Sequence, residues 1–88
     1  FNTPCQHIVF KAYPQIVPYI ETKPIHHSQI MVEHNSGFSI FSLDLIPNYE
    51  FETIMMAYAD HCEILEPLSL REKLVIRATD ILKNNRKD

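Results

Sequence analysis

The order of apolar periodicities along this chain predicts an α+β domain, a ferredoxin-like β-α-β-β-α-β unit with one added C-terminal helix. Three observations carry that reading. Short apolar runs bounded by turn residues alternate with helix-spaced stripes. The turn signal Asn35-Ser36-Gly37 joins the two middle runs directly, as a hairpin requires. The string Glu63–Leu74, EILEPLSLREKL, packs an apolar run, a proline stop and a helix start into one joint. The right-handed preference of crossover connections then makes 4-1-3-2 the strand order, with both crossover helices on one face of an antiparallel sheet.

Each element follows from its own residues. Gln6–Ala12 centres on Ile8, Val9 and Phe10 and reads as the first strand, broken by Tyr13-Pro14. Tyr13, Ile16, Val17 and Ile20 recur at helical spacing. Pro18 lies inside that pattern, so the helix is expected to kink or start late. Thr22–His27 is a loop, and Gln29–His34 is the second strand. Asparagine and glycine tolerate positive φ, so Gly37, the single glycine, is expected to serve the hairpin turn that way. Phe38–Leu45 is the third strand; Ser39, Phe41, Leu43 and Leu45 share one face. Both of its faces are partly apolar, which places it inside the sheet.

Asn48 is a good N-cap for a second helix, with Glu50 and Glu52 near the positive end of its dipole. Phe51, Ile54, Met55 and Tyr58 form its apolar stripe. Cys62–Leu65 is the fourth strand, in which Ile64 and Leu65 are expected to be buried. Ser69 and Glu72 stand in capping-box relation, so Ser69 is expected to cap a last helix running to about Asn84. Its buried face is expected to comprise Leu70, Leu74, Ala78, Ile81 and Leu82. Residues 1–84 then form one domain, and residues 85–88 a frayed tail.

Composition limits the function classes. Eighty-eight residues support one small hydrophobic core. No apolar run reaches the ~18 residues of a membrane span, so neither a membrane segment nor a membrane partner is expected. Nothing at the N-terminus resembles a secretion signal, and the chain opens on Phe1, as a piece of a longer protein would. Two cysteines outside any C-x-x-C pair, Cys5 and Cys62, fit free thiols in a reducing, cytoplasmic compartment better than a disulfide. The net charge of −3 argues against a module that binds nucleic acid through phosphates alone.

Three strings, in order and spacing, resemble the C-terminal extension (WCX) of WYL-domain bacterial transcriptional regulators: PIHHSQ at Pro24–Gln29, NYEFETIMMAY at Asn48–Tyr58 and ILEPLSLR at Ile64–Arg71. The resemblance spans roughly Gln6 to Asn84. It implies a parent protein with an N-terminal winged helix-turn-helix that contacts DNA, a central WYL domain, and an effector that is a nucleic acid or a small molecule. In such a protein this module contributes to homodimer contacts and to effector response. His26, Ser28, Gln29 and Arg71 are the positions that match the family strings; His27 falls on a variable one. Members often carry a glycine before the fourth strand, where this chain has Ala59-Asp60-His61; Asp60 is expected to cap the second helix or adopt the left-handed conformation.

The chemistry-bearing residues point away from catalysis. Five histidines match no zinc spacing, and the adjacent His26 and His27 would point to opposite sides of an extended segment. His26 is instead expected to bond the loop before the second strand, orienting Ser28 and Gln29. A Cys62–His61 nucleophile would need a thiolate, whereas Cys62 opens a strand. No catalytic residue, metal or cofactor is expected, and the chain reads as a non-enzyme. Arg71, Lys73 and Arg77 form a basic side of the last helix, with Lys83, Arg86 and Lys87 further on. That side reads first as a solvated face with cations near the helix C-terminus; the functional alternative is that Arg71, at the N-terminus where a cation opposes the dipole, pairs with an acidic group or contacts an anionic effector. The alternatives are a stand-alone small-molecule sensor of the same fold, and a single-stranded nucleic-acid binder, which needs exposed aromatics on central strands; Phe10 and Phe41 are the candidates, though both read better as core.

Overall fold

The computed structural model describes residues 5–86. Its elements run β1 (Gln6–Ala12), α1 (Val17–Thr22), β2 (Ile30–His34), β3 (Ser39–Leu45), α2 (Tyr49–Tyr58), a 3-10 turn (Ala59–His61), β4 (Cys62–Glu66) and α3 (Leu68–Asn85). The four strands form one sheet in the order β2-β3-β1-β4, the expected 4-1-3-2 read from its other edge. Every neighbouring pair is antiparallel. Lys87 of the basic cluster and the end of the expected tail, residues 87–88, lie outside the described residues.

The pleat sorts the side chains. Ile8, Phe10 and Ala12 of β1 stand opposite Leu43, Phe41 and Ser39 of β3. All six are buried, and Phe10 stacks on Phe41 with ring centroids 5.4 Å apart. Val17 and Ile20 of α1, Phe51 and Met55 of α2, Ile64 of β4, and Leu70 and Leu74 of α3 complete one core against this face. The alternate residues face the other way. Among them Val9, Lys11 and Ile40 are half-buried, while Ile30 is exposed. No described helix covers that second face.

Local chemistry explains most element boundaries. Pro18 sits in the first turn of α1, where its missing N–H costs nothing, so the helix starts late as expected. Asn48 caps α2: its Oδ1 accepts from the Phe51 N–H at 2.8 Å. At the β2–β3 hairpin, Asn35 Oδ1 accepts from the Gly37 and Phe38 N–H groups at 2.8 and 3.0 Å.

Several expectations are corrected by the structure. The hairpin turn uses no positive φ, and no described residue has one, because the Asn35 side chain closes the turn by itself. A Cβ on Gly37 would meet only Asn35 Oδ1, at 3.5 Å. Ser69 is not the cap of α3. The cap position lies two residues earlier, at Pro67, and the helix begins at Leu68; the extended Pro67 supplies the carbonyl that accepts from Leu70 and Arg71 N–H, both at 3.2 Å. Asp60 neither caps α2 nor turns left-handed; a right-handed 3-10 turn carries the chain into β4. Leu65 falls at the register shift between β1 and β4 and is exposed, while its neighbour Ile64 is buried. Ile54 lies at the rim of the α2 stripe and is also exposed.

The largest departure is in α3. Leu70 and Leu74 join the core, but Ala78, Ile81 and Leu82 are exposed. The helix outruns the sheet it packs on, so its apolar stripe continues past the body of the domain.

Candidate functional site

The matched residues of the PIHHSQ string converge on the α1–β2 connection. Gln29 Oε1 accepts from the Ile25 N–H at 2.9 Å, and its Nε2 donates to the Ile20 carbonyl at 3.3 Å. That amide therefore fastens the loop to the end of α1. Ser28 lies opposite Asp44, two residues beyond the last paired residues of β2 and β3, Ile30 and Ser42, and its hydroxyl takes the place of a backbone partner there. Its Oγ accepts from the Asp44 N–H at 2.8 Å and lies 3.0 Å from the Asp44 carbonyl.

His26 Nδ1 sits 2.7 Å from Ser28 Oγ and 3.2 Å from Ser28 N. A single hydroxyl proton cannot serve both the imidazole and the Asp44 carbonyl. With Nδ1 unprotonated, the ring accepts from both Ser28 groups, and the serine hydroxyl still accepts from Asp44 N–H. His26 thus orients Ser28, and the segment is a tether whose polar atoms are turned onto one another. Substituting Ser28 by alanine removes the acceptor of the exposed Asp44 amide, which water can partly replace, and is expected to cost about 0.5–1.5 kcal/mol. Chemical denaturation of the variant checks this, with the loss expected at unchanged m-value.

Along α3 each of the three candidate cations already has a neighbour. Arg71 Nη2 lies 3.8 Å from Glu63 Oε2 of β4, across a half-exposed gap. Lys73 Nζ lies 3.6 Å from Glu52 Oε2 of α2. The Arg77 guanidinium stacks 4.6 Å over the Tyr49 ring, and its Nη2 donates to Tyr49 Oη at 3.4 Å and Thr53 Oγ1 at 3.3 Å. Nη1 is enclosed and has no acceptor among the described residues. Beside this clamp, between the first turn of α2 and the outer half of α3, runs an open cleft of about 480 Å³. Arg77 is recognisable in the sequence as basic. The Tyr49 clamp left no signal there, because helix positions 28 residues apart meet only through packing.

A second open cleft, about 530 Å³, is bordered by His26, His27, Asp44, Glu50 and Cys5. Among the described residues no three or more histidine, cysteine or acidic side chains are placed to hold a metal ion. The aromatic pair that the nucleic-acid alternative would need for base stacking is enclosed, since Phe10 and Phe41 belong to the core and face the helices. The opposite face offers Asp44, Glu33, Glu63 and Glu66 against Lys11, a poor surface for phosphates. No described helix is long and apolar enough to cross a membrane.

Both cysteines are free thiols. Burial pushes the Cys62 thiol from its ordinary 9.0 up to about 12, with the nearby Asp60 charge adding to the effect. A raised pKa removes the thiolate that a nucleophile needs. The folded state then holds this proton where the unfolded chain releases it. Stability tied to the buried thiol is full below pH 9.0 and is lost as pH climbs toward about 12. At mildly alkaline pH a thiol-reactive disulfide reagent is expected to label the exposed Cys5 first and Cys62 only slowly. Equal labelling rates in the folded protein would contradict the buried placement.

Among curated proteins no relative matches this chain. The sequence does match the WCX domain over residues 6–82, from the first residue of β1 to the last turn of α3. WCX domains are C-terminal domains associated with WYL regulators. With that match covering the sheet, the crossover helices and most of α3, the chain belongs to the WCX domain family.

Proposed function

We propose that this domain is the C-terminal oligomerisation and effector-response module of a WYL-type bacterial DNA-binding transcriptional regulator, and that it performs no catalysis of its own. The reading rests on one observation above all. The apolar stripe of α3 is half used: Leu70 and Leu74 are buried, while Ile81 and Leu82 are more than half exposed, as are Val75 and Ile76 on other sides of the same helix. Apolar side chains gathered on one projecting helix are a recognition surface rather than a core. The family supports the same direction, since a WCX domain accompanies other domains of a regulator. His26, Ser28 and Gln29 act within the fold, holding the loop that feeds β2. Arg71, Lys73 and Arg77 bracket α3 against β4 and α2, so a shift of α3 would be felt by three ion-pair or stacking contacts at once.

DNA contact belongs in this reading to a helix-turn-helix domain of the parent protein, and effector capture to its WYL domain. The module converts capture into a change of assembly. Sedimentation equilibrium tests the assembly half directly. The chain is expected to self-associate in the micromolar range, and a strict monomer at high micromolar concentration would contradict a self-sufficient dimer contact.

A further inference from the structure

The six α3 residues that line the cleft beside α2 are Lys73, Ile76, Arg77, Asp80, Ile81 and Asn84. They are symmetric in sequence about the midpoint between Ala78 and Thr79. Arg77 and Asp80 are equidistant from that point, as are Ile76 and Ile81, and Lys73 and Asn84. Such a pattern is self-complementary under a twofold axis. We propose that α3 pairs antiparallel with α3 of a second copy of this chain, crossing between Ala78 and Thr79. This inference rests on the dimer reading above and names its surface.

At that crossing Arg77 comes level with Asp80 of the second copy, and Asp80 with its Arg77. Ile76 comes level with Ile81, and Lys73 with Asn84. No like charges share a level. A parallel pairing would instead stack Arg77 on Arg77 and Lys73 on Lys73, so charge complementarity selects the antiparallel arrangement. The contact spans about 17 Å of helix from Lys73 to Asn84, at the usual rise per residue.

The monomer is prepared for this contact. Arg77 is held against Tyr49 by stacking and by two hydrogen bonds, so little side-chain freedom is left to lose on association. Asp80 makes no ion pair among the described residues and is free to accept one. Tyr49, Ile76 and Ile81 supply exposed apolar area around the charges.

Charge exchange tests the register. Arg77→Asp sets two aspartates against each other at both ends of the crossing, and Asp80→Arg sets two arginines there. Each variant alone is expected to raise the dimer dissociation constant about tenfold or more in sedimentation equilibrium at low salt. In an equimolar mixture of the two, one chain carries aspartate at both positions and the other carries arginine at both. Every level of the heterodimer crossing then holds opposite charges, and association is expected to recover. The double variant R77D/D80R is expected to recover it as a homodimer. Asp80→Arg leaves the Tyr49 clamp intact, so its loss of association cannot come from unfolding of that clamp. A wild-type dimer that survives both single variants, or variants that weaken it without recovery on mixing, overturns this surface and leaves the dimer reading standing. A wild-type monomer at high micromolar concentration overturns both.

Discussion

Replacing Phe10 or Phe41 by alanine is expected to cost about 3–5 kcal/mol, the largest single-residue loss in the domain. Both rings are fully enclosed, and they stack on each other between the two central strands and the helices. Removing either ring strips its partner of the stacked face as well as opening a cavity. A domain of 88 residues stands near the lower end of the usual ~5–15 kcal/mol, so either variant is expected to be largely unfolded at 37 °C. Thermal melting followed by circular dichroism checks this; a cooperative transition within a few degrees of wild type would contradict the assigned core.

The second large effect separates the two halves of α3. Leu70→Ala and Leu74→Ala are each expected to cost about 2–5 kcal/mol, because both side chains are seated in the core. Ile81→Ala and Leu82→Ala are expected to change the stability of the dilute monomer by less than about 0.5 kcal/mol, because both positions are half solvated there. Denaturant titration at low protein concentration measures all four. A cost above about 2 kcal/mol at Ile81, the range of a core truncation, would mean that the outer stripe folds back onto the body and is not free for a partner.

Much of the architecture is legible in the amino-acid pattern. Strand order follows from the succession of periods together with the handedness of crossovers, and the observed sheet carries that order. Asn48 is readable as a cap because an Asx residue before an apolar helical stripe has one common use. Ser69 misleads for the same reason. Its S-x-x-E spacing is real, but Pro67 can enter a helix directly, and the helix starts before the serine is reached. Gly37 misleads because the neighbouring asparagine closes the turn, leaving the glycine with no special conformation to adopt.

The site is only half legible. His26, Ser28 and Gln29 stand out through resemblance, and their local bonding is foreseeable within a short loop. The role of Ser28 in extending the β2–β3 ladder is not, since Asp44 is 16 residues away and meets it only through strand register. The α3 stripe shows the clearest limit. Periodicity identifies a face that must be covered, yet says nothing about whether the same chain covers it. Leu70 and Ile81 fall on the same side of the helix; the reach of the body it packs on decides that the first is core and the second is not.

In our reading the inner half of α3 folds the domain and the outer half assembles it. A folded state that associates is stabilised by mass action, so its melting midpoint rises with protein concentration. Wild type and Ile81→Ala are therefore to be melted side by side over a roughly hundredfold concentration range. The wild-type midpoint is expected to climb with concentration, and that of Ile81→Ala to stay flat at the dilute wild-type value. A wild-type midpoint independent of concentration, or an equal climb in both proteins, would contradict this division of the helix.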